Sequence, residues 1–155
     1  MGVGKTTIGK KLATSLKLKF IDTDALIVKR HGEISQIFEE QGEAVFRSLE
    51  EEAVASAIEY PAVVATGGGA ILSQVTRDRL KDTTVIYLAT DGRHIKSRIT
   101  GSKRPLVKNG FEDWVRIYEE RKPIYRRVAD FEIDTSSKSL SETLSAIKAA
   151  LNESK

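Results

Sequence analysis

Short, uninterrupted apolar runs alternate along this chain with longer segments of helical period, and that alternation limits the folds open to it. Lys19 to Ile21, Ala62 to Ala65, Val85 to Ala89 and Phe131 to Ile133 read as buried strands, because a strand covered on both faces is apolar throughout. The stretch Glu43 to Glu59 has helical period, with Val45, Leu49, Ala53, Ala57 and Ile58 on one face and Glu50, Glu51 and Glu52 around the other. Ser139 and Glu142 form a capping-box pattern, followed by Leu140, Leu144, Ile147 and Leu151 at the spacing of a C-terminal packing helix. Strands separated by helices require right-handed crossovers and give a parallel sheet covered on both faces. The expected class is α/β.

The 155 residues contain no repeat or linker that would divide them, so a single domain over residues 1–155 is expected. The absence of cysteine excludes disulfides, thiolate metal sites and thiol nucleophiles, leaving carboxylates, hydroxyls, cations and backbone to do any chemistry. No apolar run approaches the roughly 20 residues of a membrane span, and no leader-like segment is visible, so the expectation is a cytoplasmic chain that does not bind membranes. The net charge of +3 comes from basic residues spread among acids rather than gathered in a stripe, which disfavours nucleic acid and leaves room for a small anionic substrate.

Gly2-Val-Gly-Lys-Thr-Thr7 matches the second half of the phosphate-binding pattern G-x-x-x-x-G-K-[ST], ahead of a helix carrying Ile8, Leu12 and Leu16. Glycines let backbone N–H groups converge on an anion, Lys5 reaches the β and γ phosphates, and Thr6 offers a hydroxyl to Mg²⁺. A glycine-rich tail before a helix would look similar. Asp22-Thr-Asp24 follows a strand, where parallel sheets bind ligands, although Asp22 or Thr23 could simply cap the next helix. Arg47 lies four residues from both Glu43 and Glu51, so helical ion pairs alone explain it. Gly67-Gly-Gly69 suits a ligand approaching the backbone, or a loose loop. The polar stretch Gly101 to Gly110 reads as a loop over a site, with Arg104 able to reach a phosphate. Arg121 has acidic neighbours and a surface ion-pair explanation, while Trp114, Tyr118 and Tyr125 read as packing residues. His31 and His94 stand in no metal-ligand spacing.

Together these segments resemble the shikimate kinase family, in the family's order and along essentially the whole chain: Gly2–Gly9, Phe20–Asp24, Ile37-Phe38 with Gly42-Glu43, Phe46-Arg47, Ala65–Ala70, Arg104-Pro-Leu106, Arg121 with Tyr125, and Asp134-Thr135. The resemblance implies a three-layer P-loop kinase fold with sheet order 2-3-1-4-5, in which this chain lacks strand 1 and the first P-loop glycine, as if Met1 were internal to the P-loop. It also implies transfer of the ATP γ-phosphoryl group to the 3-hydroxyl of shikimate, a step toward the aromatic amino acids, by a monomer that uses Mg²⁺. Lys5, Asp24 and Arg104 would be catalytic. Gly2, Val3, Gly4, Lys5, Thr6, Thr7, Arg98 and Arg104 would bind ATP, and Thr6 and Asp22 the metal. Asp24, Arg47, Gly67, Gly68, Gly69 and Arg121 would bind shikimate, with Glu50 orienting Arg47 or Asp24 and a mobile lid at about 101–111. Two other readings stay open: a related kinase such as gluconate kinase, or a catalytically impaired kinase-like binding module.

Overall fold

The computed structural model describes residues 2–99 and 105–155. Its strands are β1 (Lys19–Asp22), β2 (Ala62–Ala65), β3 (Ile86–Ala89) and β4 (Phe131–Asp134), each within a residue of the expected run at either end. The helices are α1 (Lys5–Leu16), α2 (Thr23–His31), α3 (Ile34–Gln41), α4 (Glu43–Ala57), α5 (Gln74–Leu80), α6 (Ile95–Ile99), α7 (Phe111–Val128) and α8 (Leu140–Glu153), with a single 3₁₀ turn at Ala70–Leu72.

Both strand pairings are parallel. β1 pairs with β2 in the register Phe20 to Val63, and β3 with β4 in the register Tyr87 to Glu132. In the expected order 2-3-1-4-5 these are the pairs 2-3 and 4-5. Among the described residues the two pairs share no ladder, and an apolar cavity of about 540 Å³ lies between Val63 and Val64 of β2 and Ile86 and Leu88 of β3. Helices cover both faces. Ile8 and Leu12 of α1 meet Ile147 of α8 and Ile133 of β4, while α4, α5 and α7 gather around Val54, Ile71, Leu80 and Ile124. Ile27, Ile37, Phe46 and Ala53 join α2, α3 and α4 in a third cluster.

The expected capping box at Ser139 and Glu142 is present, with both reciprocal bonds made. α4 departs from expectation. Its buried stripe is Phe46, Glu50, Ala53, Val54 and Ala57, whereas Val45 is exposed and Glu50, expected on the outer face, is only 3% exposed. The cause is local. Phe46 packs on Phe38 with ring centroids 4.8 Å apart, which rotates the helix and brings Glu50 inward beside Arg47. Among the described residues no helix is long and apolar enough to cross a membrane.

Candidate active site

The carboxyl ends of β1 and β2 and the loop after β4 open into one pocket of about 780 Å³. Its phosphate end is made largely of backbone. Gly2 and Gly4 adopt left-handed φ of 73° and 89°, and Gly4 caps α1, whose first turn has no acidic residue to compete with an anion for its N-terminus. Lys5 opens the helix and lines the pocket. The Thr6 hydroxyl donates to Asp22 Oδ2 at 2.9 Å, while Asp22 Oδ1 accepts from the N–H groups of Asp24 and Ala25 at 3.0 and 3.2 Å. Asp22 therefore caps α2 with one oxygen and keeps the other beside Thr6. A hydroxyl and a carboxylate oxygen side by side are hard donors that suit Mg²⁺, which takes few protein ligands and leaves the rest to phosphate and water. Arg98 Nη1 donates to the Gly2 carbonyl at 2.9 Å and so ties α6 to the start of the loop.

The acceptor end is made of charged side chains. Asp24 stands in the first turn of α2, and its Oδ1 is buried without a hydrogen-bond partner among the described residues. Burial, then the charge of Asp22, holds its carboxyl above the usual aspartate range, against the opposing pull of Lys5 and Arg47. Arg47 Nη1 pairs with Glu50 at 2.7 Å and Nη2 with Glu43 at 3.3 Å. Of the two acids four residues from Arg47, only Glu43 is its partner, and the buried Glu50 is closer. Burial pushes the Glu50 carboxyl up even though Arg47 draws it down.

Two glycines of the triplet, Gly67 and Gly69, are required by close approach. A Cβ on Gly67 would stand 2.6 Å from Glu50 Oε1 and 3.0 Å from Asp24 Oδ1, and one on Gly69 would overlap the Arg47 guanidinium. These glycines hold space for charged groups, which a loose loop would not need. Arg121 of α7 is only 7% exposed and lines the same pocket, without an ion pair among the described residues. Its neighbour Glu120 pairs instead with Arg116, so the surface explanation fails for Arg121.

The shikimate kinase family model matches residues 1–152. The chain belongs to the shikimate kinase family. It is 40% identical over 157 residues to the shikimate kinase of Rhodococcus jostii, covering 98% of this chain and 94% of that one. It is likewise 40% identical over 154 residues to the shikimate kinase of Thermobifida fusca, covering 97% and 90%. Among solved structures, shikimate kinase from Acinetobacter baumannii in complex with shikimate superposes with a TM-score of 0.93 at 34% identity, over 100% of this chain and 90% of that one.

For a shikimate kinase chain, most of the residues expected from sequence lie around one cavity: Gly2 to Thr7, Asp22, Asp24, Arg47, Gly67 to Gly69, Arg98 and Arg121 all line it. Arg104 and the first part of the expected lid lie outside the described residues. Arg98, expected on the adenine side, bonds the Gly2 carbonyl. Sequence reasoning gave Thr135 a place in the family pattern but no task and passed over Lys138; both line the pocket from the loop after β4. Their place just past the carboxyl end of a parallel strand was the available signal.

Proposed function

We propose that this chain is a cytoplasmic, monomeric, single-domain enzyme that transfers the γ-phosphoryl group of ATP to the 3-hydroxyl of shikimate. The observation that carries the reading is the buried Asp24 oxygen, which has no hydrogen-bond partner among the described residues, in a pocket also lined by the phosphate-binding loop and two guanidiniums, Arg47 and Arg121. A buried acceptor without a donor suits a substrate hydroxyl, and two arginines suit a carboxylate, with which a guanidinium pairs bidentately. The backbone of Gly67, Gly68 and Gly69 faces the remaining hydroxyls.

In the reaction the 3-oxygen of shikimate attacks the γ-phosphorus as the bond to the β-γ bridging oxygen breaks. Asp24 accepts the hydroxyl proton, and ADP leaves with shikimate 3-phosphate as the other product. The raised pKa of Asp24 brings its basicity closer to that of a useful proton acceptor. Lys5 and the N–H groups of Gly2 to Thr7 hold the phosphates. Thr6 and Asp22 would hold Mg²⁺, which would supply positive charge to neutralise the phosphates.

A coupled ADP-release assay with shikimate and gluconate tests the function. Turnover with shikimate alone is expected. Turnover with gluconate alone, or with neither, would overturn it.

A further inference from the structure

Both strand pairs supply loops to the pocket, and α7 runs past the loop after β2 and the end of β3. Two tyrosines of α7, seven residues apart and therefore on one side of the helix, reach both. Tyr125 donates its hydroxyl to the Gly68 carbonyl at 2.7 Å, in the loop after β2. The Tyr118 hydroxyl accepts from the Thr90 N–H at 3.2 Å, immediately after β3. Tyr87 of β3 joins the two: its hydroxyl bonds that of Tyr118, and its ring stacks on Tyr125 with centroids 5.1 Å apart. Burial pushes the Tyr125 phenol up against the opposing pull of Arg121, and the protonated phenol is the form that donates to Gly68.

We propose that Tyr125 is a positioning residue for the acceptor substrate: it holds Gly68 from the same helix that carries Arg121 one turn earlier, and so sets the glycine loop against that guanidinium. The inference rests on reading Gly67 to Gly69 and Arg121 as the shikimate site. Gly68 sits between Gly67, pressed by Glu50 and Asp24, and Gly69, pressed by Arg47. A displaced Gly68 therefore disturbs the contacts of all three side chains. Packing alone would be served equally well by phenylalanine.

The test compares Y125F with Y118F by steady-state kinetics in both substrates and by thermal melting. Loss of one partly buried hydrogen bond should raise the shikimate KM of Y125F about three- to tenfold while its ATP KM stays within about twofold. Y118F should melt lower without that selective rise. An unchanged shikimate KM in active Y125F, or an equal rise in both KM values, would overturn the inference. A wild type without shikimate turnover would overturn the proposed function and this inference together. Y125F keeps the ring and its stack. Should it still not fold, fluorine NMR of the wild type carrying 3-fluorotyrosine gives a second reading. The Tyr125 resonance should move when shikimate is added, and an unmoved resonance counts against the proposal.

Discussion

The two ends of the pocket are built on opposite plans. At the phosphate end the contacts come from glycine backbone, a helix N-terminus and the exposed Thr6–Asp22 pair, groups that water can reach. At the acceptor end, Glu50 and Arg121 are at most 7% exposed, Arg47 is paired, and Asp24 has a buried oxygen with no partner among the described residues. Backbone N–H groups recognise any phosphate chain. Desolvated, oriented charges recognise one substrate, because an analogue lacking the matching group leaves a buried polar atom unpaired. Specificity should therefore reside at the acceptor end, and substitutions there should affect shikimate far more than ATP.

The largest effect is expected for Asp24→Asn, which keeps the shape but removes the proton acceptor. Turnover should fall by about 10²- to 10⁴-fold while ATP affinity changes little, read from kinetics and nucleotide titration. Burial raises the Asp24 pKa, so the fold favours the protonated acid. The cost of holding the charged form applies above the raised pKa and disappears as pH falls below the ordinary value of 3.8. Asp24→Asn should accordingly be no less stable than wild type at pH 7. The acid limb of the wild-type kcat/KM profile should lie above the range of an ordinary aspartate. A variant that keeps its turnover would remove the contrast between the two ends.

Next in size is Arg47→Ala. It should raise the shikimate KM about 10- to 100-fold, the loss of a charged hydrogen-bonding partner, with the ATP KM nearly unchanged. It should also lower stability by about 3 kcal/mol, because Glu50 is left buried without its counter-charge. Adding Glu50→Gln should restore melting temperature but not shikimate affinity. Recovery of both would make Arg47 structural.

The smallest effect is expected for Arg98→Ala. Losing one exposed bond to the Gly2 carbonyl should raise the ATP KM about two- to threefold and leave the shikimate KM alone. A far larger loss of ATP affinity would mean that Arg98 contacts the nucleotide itself, as the sequence resemblance implies.

The difference between the two ends also explains what could be read from sequence. β2 was legible to the residue because Ala62 to Ala65 is a continuous apolar run, and the phosphate end was legible because backbone recognition needs glycines at fixed spacing. The acceptor end was not legible from periodicity. Glu50 follows the rule that acids face outward until one knows that Arg47 is beside it and Phe46 has turned the helix. Arg121 and Tyr125 sit among ordinary helical residues, and their roles depend on a loop far away in sequence, as the bond from Tyr125 to Gly68 shows. Family resemblance supplied Arg47 and Arg121 because it compares whole constellations. It left Tyr125 without a task and passed over Lys138.

The central claim is that the acceptor end recognises a carboxylate through the half-buried guanidinium of Arg47 and the buried one of Arg121. Calorimetric titration of the wild type with shikimate and with its neutral methyl ester, repeated on Arg47→Ala, tests it most directly. The wild type should bind shikimate at least about tenfold more tightly than the ester, with most of that preference lost in Arg47→Ala. Equal affinity of the wild type for acid and ester would contradict the account.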